Sequence, residues 1–242
     1  CPYTSFPGGP FQPLRHLSKG GKYTHKSLIG KRQIGAFNSH VMHCVAVNCG
    51  MDNTKLIKDS WGKALPISAY FEDLLAAVPH EGNPYDQHIP INQQRVKRLV
   101  SRIKLTAETE SAAIQATAKT KWLILTEHWC GDSAQILPVQ AAIVAASRGR
   151  IEARVLFRDE NLELMEQFLT NGGRSIPKTI LLDDAFTVKG SWGPRPEEAA
   201  DLVKRIKSDP AIAHTYSHEL HKWYAKDRQI AIQKSIVKSL FI

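Results

Sequence analysis

The residues with the clearest capacity for chemistry are residues 129–133, which read W-C-G-D-S. A short apolar run from Trp122 to Leu125 precedes them and has the length and aliphatic content of a buried strand. Apolar residues at helical spacing follow them, so Cys130 is predicted to lie where a helix begins. The first N–H groups of a helix lack internal partners and carry partial positive charge, which stabilises a nearby thiolate. We therefore expect a lowered pKa for Cys130 and a sulfur that is nucleophilic near neutral pH.

The position at which a second thiol would complete the reaction is occupied by serine. In a dithiol oxidoreductase the first sulfur attacks a disulfide, and a second sulfur attacks the mixed disulfide and releases the product. Ser133 stands at the second position, and its hydroxyl cannot form a disulfide. Cys130 can therefore begin an exchange but cannot finish it within the motif. The other cysteines, Cys1, Cys44 and Cys49, could finish it only if the first fifty residues fold over the site.

The motif W-C-G-D-S after an apolar strand resembles the W-C-G-P-C active site of the thioredoxin superfamily. It is similar in particular to a bacterial thioredoxin-like group that carries W-C-G-D followed by Cys or Ser. The resemblance covers about residues 115–208 and includes three later motifs, namely R-D-E-N (158–161), N-G-G-R-S-I-P (171–177) and W-G-P-R-P (192–196). It implies that Pro177 has a cis peptide bond and faces the reactive cysteine.

The resemblance also assigns residues to the site. It places Cys130 and Ser133 at the catalytic positions, and the substrate-binding positions are Trp129, Gly131, Asp132, Ile176 and Pro177. Arg174 could in addition attract an anionic thiol such as glutathione.

One position departs from the pattern of the family. Many thioredoxins place a buried Asp six residues before the nucleophile, where this chain has Ile124. Three polar residues remain that could tune Cys130, namely Glu127, His128 and Asp132. The carboxylate of Asp132 would oppose the thiolate, whereas a protonated His128 would support it; the sequence leaves open which effect dominates.

The apolar patterns predict the elements that position these residues. Between residues 115 and 208 they give the order β-α-β-α-β-β-α, with strands near 122–125, 151–157, 179–182 and 186–189. This agrees with the resemblance, and the predicted fold class is α/β: a thioredoxin-like fold with a central mixed sheet, flanking helices, and extra helices at both ends.

The chain is predicted to divide into four segments. Residues 1–50 are a leader that could be non-native, disordered or a targeting peptide, and residues 51–114 are a helical extension. Residues 115–208 are the thioredoxin-like domain, and residues 209–242 are a helical tail broken near Asp227. This tail could dock on the domain or on a second copy, which would give a homo-oligomer.

Composition narrows the class of protein. The 43% hydrophobic and 23% charged residues are typical of a globular protein, and no apolar run approaches the roughly 20 residues of a membrane helix. The net charge of +9 arises largely in residues 1–50, which hold six Lys/Arg and no Asp or Glu, so we predict no nucleic-acid binding. Four cysteines are too few for a disulfide framework, which favours a cytoplasmic location.

No metal site is predicted. Four possible ligands occur among residues 40–49, but their spacing fits no common zinc finger; they are His40, His43, Cys44 and Cys49. Three histidines of the tail share one helix face, and we interpret them as surface residues; they are His214, His218 and His221.

Three functional hypotheses follow from this sequence. The first is a monothiol protein without a cofactor, which performs thiol-disulfide exchange or deglutathionylation on protein or low-molecular-weight disulfides. An external thiol, glutathione or bacillithiol, would act as co-substrate. The second is a redox-inactive module that binds extended peptides through Trp129 and the Ile176–Pro177 edge. The third is a sensor in which Cys130 is oxidised to sulfenic acid.

Overall fold

A five-stranded mixed sheet organises residues 53–116 and 119–240, which the computed structural model describes. Its strands are β1 (Leu65–Pro66), β2 (Thr120–Thr126), β3 (Ile151–Phe157), β4 (Lys178–Leu182) and β5 (Val188–Trp192). They lie in the spatial order β1-β3-β2-β4-β5. β2 and β3 run parallel, and the other neighbouring pairs are antiparallel. The predicted mixed sheet is confirmed, and the short edge strand β1 is an addition that the sequence did not predict.

Helices pack on both faces of this sheet, and additional helices precede and follow it in the chain. In the described residues they are α1 (Thr54–Lys63), α2 (Ile67–Ala76), α3 (Ile89–Val100), α4 (Ala107–Gln115), α5 (Ser133–Ala146), α6 (Leu162–Met165), α7 (Glu197–Lys207), α8 (Tyr216–Asp227) and α9 (Ile230–Leu240). Single 3₁₀ turns occupy Asp86–His88, Glu166–Phe168 and Ala213–Thr215. None of the described helices combines the length and apolar character that a membrane crossing requires.

The core lies on both sides of β2. Its side chains alternate between two hydrophobic clusters, with Trp122 and Ile124 in one and Leu123 and Leu125 in the other, because successive side chains of a strand point to opposite faces. All four are 0% exposed. A strand buried on both faces reads as a continuous apolar run, which is why the sequence identified it.

Local backbone conformation sets the start of β5 and the junction between the two helices of the tail. β5 begins at Val188 rather than at the predicted Phe186, because Phe186 adopts a left-handed conformation with φ of 69°. The carboxylate of Asp183 accepts the N–H groups of Ala185 and Thr187 and so extends the turn. The predicted break of the tail is confirmed, since residues 228–229, which separate α8 from α9, both have positive φ.

The described residues belong to the compact unit Cys49–Ile242. The hypotheses on residues 1–50 lie outside the part of the chain that the structure describes. These hypotheses concern the leader itself, the resolving roles of Cys1, Cys44 and Cys49, and the zinc interpretation of His40 and His43.

Three chain segments meet at one edge of the sheet. β2 ends at Thr126, and the loop that follows it leads into α5; β4 begins directly after the Ile176–Pro177 bond, which is cis as predicted. In the antiparallel register Leu125 of β2 lies opposite Lys178 of β4, so the two loops are adjacent. Gly193 follows β5 with φ of 116°, and a Cβ there would lie 2.2 Å from the carbonyl oxygen of Pro177. Glycine is therefore required at this close approach.

Candidate functional site

Cys130 lies in the loop between β2 and α5, beside the loop that contains the cis proline. Its Sγ–H donates to the carbonyl oxygen of Ile176 at 3.4 Å, and its backbone N–H donates to the carbonyl oxygen of Glu127 at 3.1 Å. The residue is 6% exposed. The sulfur is thus held against the carbonyl that precedes Pro177, and the thiol rather than the thiolate can make this contact, because only the thiol carries a proton to donate.

The expected lowering of the pKa of Cys130 is wrong. Burial first, and the nearby Asp132 carboxylate second, raise the pKa of this thiol to about 11. Hydrogen bonds from Ser133 and from the backbone N–H of Asp132 act in the opposite direction, as the start of a helix predicts, but they do not prevail. The sequence prediction failed because it included the helix terminus and left out the desolvation that tertiary packing imposes.

Asp132 is the centre of a buried network of charged and polar groups. Its carboxylate is 7% exposed and lies 2.6 Å from a guanidinium nitrogen of Arg195. The hydroxyl of Tyr224 donates to the other carboxylate oxygen at 2.7 Å. Burial raises the pKa of Tyr224 well above its ordinary value, and Asp132 adds to this effect. The network ties the loop of Cys130 to α8 and to the segment after β5.

Gly131 leaves room for the imidazole of His221. A Cβ on Gly131 would lie 2.8 Å from Nε2 of His221 and 3.3 Å from a guanidinium nitrogen of Arg95. The interpretation of His221 as a surface histidine is therefore wrong, because α8 packs over the motif and directs this side chain against it. Burial and then the guanidinium charges of Arg95 and Arg195 lower the pKa of His221 to about 4, so the imidazole is neutral near pH 7.

A cavity of about 360 Å³ opens beside Cys130. Five of the seven residues assigned from the resemblance line it, namely Trp129, Cys130, Gly131, Asp132 and Ile176. Pro177 follows the last of them in the chain. Ser133 does not line the cavity; it is 1% exposed and its hydroxyl contacts the hydroxyl of Thr126. Residues of α8 complete the wall, and they include Tyr216, Leu220 and His221.

Trp129 forms an aromatic wall of this cavity. Its ring stacks on Tyr85 with centroids 4.8 Å apart, and the guanidinium of Arg158 lies over it at 5.1 Å. The side chain is half-buried, so it both packs under the loop and faces the cavity.

The other polar residues near the motif have separate partners. His128 lies 3.1 Å from a carboxylate oxygen of Asp73, and burial lowers the pKa of its imidazole, so it does not supply the positive charge that would support a thiolate. Burial raises the pKa of Glu127 to about 7, and its carboxylate accepts the backbone N–H of Asp159 at 2.8 Å. Between the opposing effects of His128 and Asp132, the effect of Asp132 dominates.

Arginine side chains give the cavity its charge. Four of them line it, and they are Arg95, Arg158, Arg174 and Arg195. Arg174, which the sequence suggested for anion attraction, contacts the carboxylate of Glu166. No signal in the sequence distinguishes Arg95 from the other basic residues of α3, which are Lys97 and Arg98. In residues 53–116 and 119–240, no three His, Cys, Asp or Glu side chains converge as metal ligands would.

Comparison with known proteins agrees with this fold. A protein-family model described as thioredoxin matches residues 82–208. No curated protein matches the sequence. Among solved structures, the chain is similar to a protein of unknown function from Pseudomonas aeruginosa, with 15% identity, a TM-score of 0.50, and coverage of 69% of this chain and 94% of the other. It is also similar to an HIV epitope scaffold, with 16% identity, a TM-score of 0.53, and coverage of 74% and 94%. At these identities the likeness to both structures shows the fold alone.

Proposed function

This chain belongs to the thioredoxin family, and on that premise we propose that it exchanges disulfides through the single thiol of Cys130, with an external thiol completing the cycle. Its substrates would be protein or low-molecular-weight disulfides, including glutathione adducts. One observation carries this proposal: the sulfur lies 3.4 Å from the Ile176 carbonyl, before the cis bond to Pro177, and lines a cavity of about 360 Å³.

The reaction would proceed in two exchange steps. The Cys130 thiol loses its proton to solvent, and the thiolate attacks one sulfur of the substrate disulfide; a bond forms between the two sulfurs, and the other half of the substrate leaves as a thiolate. An external thiolate such as glutathione then attacks the substrate sulfur of the mixed disulfide. A new disulfide forms, Cys130 leaves as a thiolate, and both thiolates released take up protons. Ser133 has no part in either bond change.

The fraction of Cys130 that is present as thiolate limits the rate of the first exchange step. With a pKa of about 11, the thiolate is about 10⁻⁴ of the population at pH 7. The exchange we propose is therefore slow at neutral pH and accelerates as the pH rises. The same argument applies to the sensor hypothesis, because peroxide oxidises the thiolate form, and it predicts slow oxidation at neutral pH.

The burial of Cys130 favours a second candidate function, a peptide-binding module without turnover. In this alternative an extended segment would pair with the backbone at the Ile176–Pro177 edge, and Trp129 would contact its side chains. The cysteine would then be a buried, protonated side chain that packs like a small hydrophobe.

The W-C-G-D-S motif supports placing the chain in the bacterial monothiol group that it resembles. We place it in the cytoplasm for a chemical reason, since a reducing compartment supplies the external thiol that the cycle requires.

A turnover assay separates the two candidates. The mixed disulfide of cysteine and glutathione would be the substrate, reduced glutathione the external thiol, and glutathione reductase with NADPH the coupled readout. We expect turnover that rises with pH and disappears in Cys130→Ser. The matched control is Ser191→Ala, which should keep turnover because Ser191 is exposed on β5 and does not line the cavity. Turnover that is equal in Cys130→Ser and the parent, or absent from the parent at every pH, would exclude exchange through this sulfur.

A further inference from the structure

The positive charge of the cavity at Cys130 exceeds its negative charge. Four arginines line it, whereas Asp132 is the one carboxylate among the described lining residues. Three of the arginines have carboxylate partners: Arg195 pairs with Asp132, Arg158 with Asp159, and Arg174 with Glu166. The fourth, Arg95, has no carboxylate partner in the part of the chain that the structure describes. A ligand with a carboxylate would supply one.

Arg95 is held in place by a chain of hydrogen bonds to the motif loop. Its guanidinium donates to the side-chain oxygen of Asn92 at 2.9 Å, and the side-chain amide of Asn92 donates to the carbonyl oxygen of His128 at 2.9 Å. Asn92 is 0% exposed. Because both contacts are short and Asn92 is buried, the cation is positioned before any ligand arrives, which lowers the entropic cost of binding.

Two buried nitrogen atoms at the same cavity have no hydrogen-bond partner among the described residues. They are Nδ1 of His221 and Nε of Arg195. Buried polar atoms are paired in the great majority of cases, so each unpaired nitrogen carries a cost of about 1–3 kcal/mol. Both atoms belong to residues that line the cavity together with Arg95.

We infer that this cavity selects low-molecular-weight disulfides that carry a carboxylate, and that Arg95 recognises the carboxylate. The inference rests on the proposed function for its link to the reaction, but the binding step is independent of it. A volume of about 360 Å³ suits a group the size of a short peptide, since ligand cavities of about 300–1,000 Å³ hold small molecules. Among the substrates proposed above, the inference therefore favours small anionic disulfides over protein disulfides.

The test measures ligand binding in a variant that cannot form a disulfide. The full chain with Cys130→Ala would be titrated calorimetrically with S-methylglutathione, which has two carboxylates and no thiol. It would also be titrated with the dimethyl ester, the diester that lacks the carboxylate charges and is larger by two methyl groups. A second variant adds Arg95→Gln. The matched control adds Arg98→Gln, because Arg98 lies on the exposed part of the same helix and does not line this cavity.

We expect S-methylglutathione to bind and the diester to bind at least about tenfold more weakly. Arg95→Gln should weaken binding of the acid about ten- to a hundredfold, which is the range for a hydrogen bond to a charged group, and Arg98→Gln should leave it unchanged. Equal affinity for acid and diester, equal effects of the two arginine substitutions, or absence of binding would each overturn the inference. None of these results depends on the reactivity of Cys130, so they are distinguishable from a failure of the turnover assay.

Discussion

Replacing Asp132 with Asn should make Cys130 more reactive at neutral pH. The Asp132 carboxylate is the second cause, after burial, of the rise in the pKa of Cys130 from 9.0 to about 11. Burial is the larger cause and Arg195 neutralises part of the carboxylate charge, so we take the contribution of Asp132 to be about 1 pH unit. Asp132→Asn should therefore bring the pKa of Cys130 down to about 10 and increase the thiolate fraction at pH 7 about tenfold.

The rate of alkylation should rise by less than the thiolate fraction. The nucleophilicity of a thiolate falls with its pKa, with a Brønsted coefficient of about 0.4–0.5, which removes a factor of about three from the tenfold gain. We expect iodoacetamide to modify Cys130 about threefold faster at pH 7 in Asp132→Asn than in the parent.

The assay needs a background in which Cys130 is the sole reactive thiol. Substitution of Cys1, Cys44 and Cys49 by Ser provides it, and mass spectrometry then follows alkylation between pH 6 and pH 11. Asp201→Asn is the matched control, because Asp201 is exposed on α7 and should leave the profile unchanged. An unchanged or higher pKa in Asp132→Asn would refute the electrostatic part of the reasoning, and a parent pKa below about 8 would refute the argument from burial.

Three further predictions concern residues around the motif. Ser133→Cys supplies the missing second thiol and should form a disulfide with Cys130 under mild oxidation, measured as a loss of two free thiols by mass spectrometry. Glu127→Gln should gain stability relative to the parent as the pH rises from 5 to 8, by about 1 kcal/mol after solvent screening. The folded pKa of Glu127 is raised from 4.5 to about 7, so the parent loses stability over that window, and urea unfolding at the two pH values measures the difference. Gly131→Ala should cost about 1–3 kcal/mol by displacing His221, and His221→Ala in the same chain should recover most of it in the same unfolding assay.

Much of the fold could be predicted because local patterns were consistent with it. The doubly buried run of β2 and the following helix could be read directly, and the cis bond at Pro177 followed from the family resemblance. The start of β5 could not be predicted, because it depends on the left-handed backbone of Phe186 and on the turn that Asp183 stabilises. Such backbone conformations are not encoded in hydrophobic periodicity.

Only those residues of the candidate site that lie in short contiguous motifs could be predicted from the sequence. Residues 129–132 and Ile176 were found because they are contiguous in two short motifs, and the structure brings them to one cavity. Arg95 and His221 come from helices outside these motifs, and their roles depend on long-range packing of α3 and α8 on the loop. The direction of the pKa change at Cys130 was wrong for the same reason, since burial is a tertiary property that the helix-terminus argument does not contain.

The central claim, that Cys130 exchanges disulfides through its single thiol, is tested most directly by trapping its mixed disulfide. The chain in which Cys130 is the sole cysteine would be incubated with oxidised glutathione at pH 7 and pH 9, and the adduct read by mass spectrometry in the folded protein and in urea. We predict one glutathione adduct on the folded chain, formed faster at pH 9 and removed by excess reduced glutathione. An adduct that forms in urea and never in the folded chain would contradict the account, because the sulfur would then be closed to disulfides in the native protein.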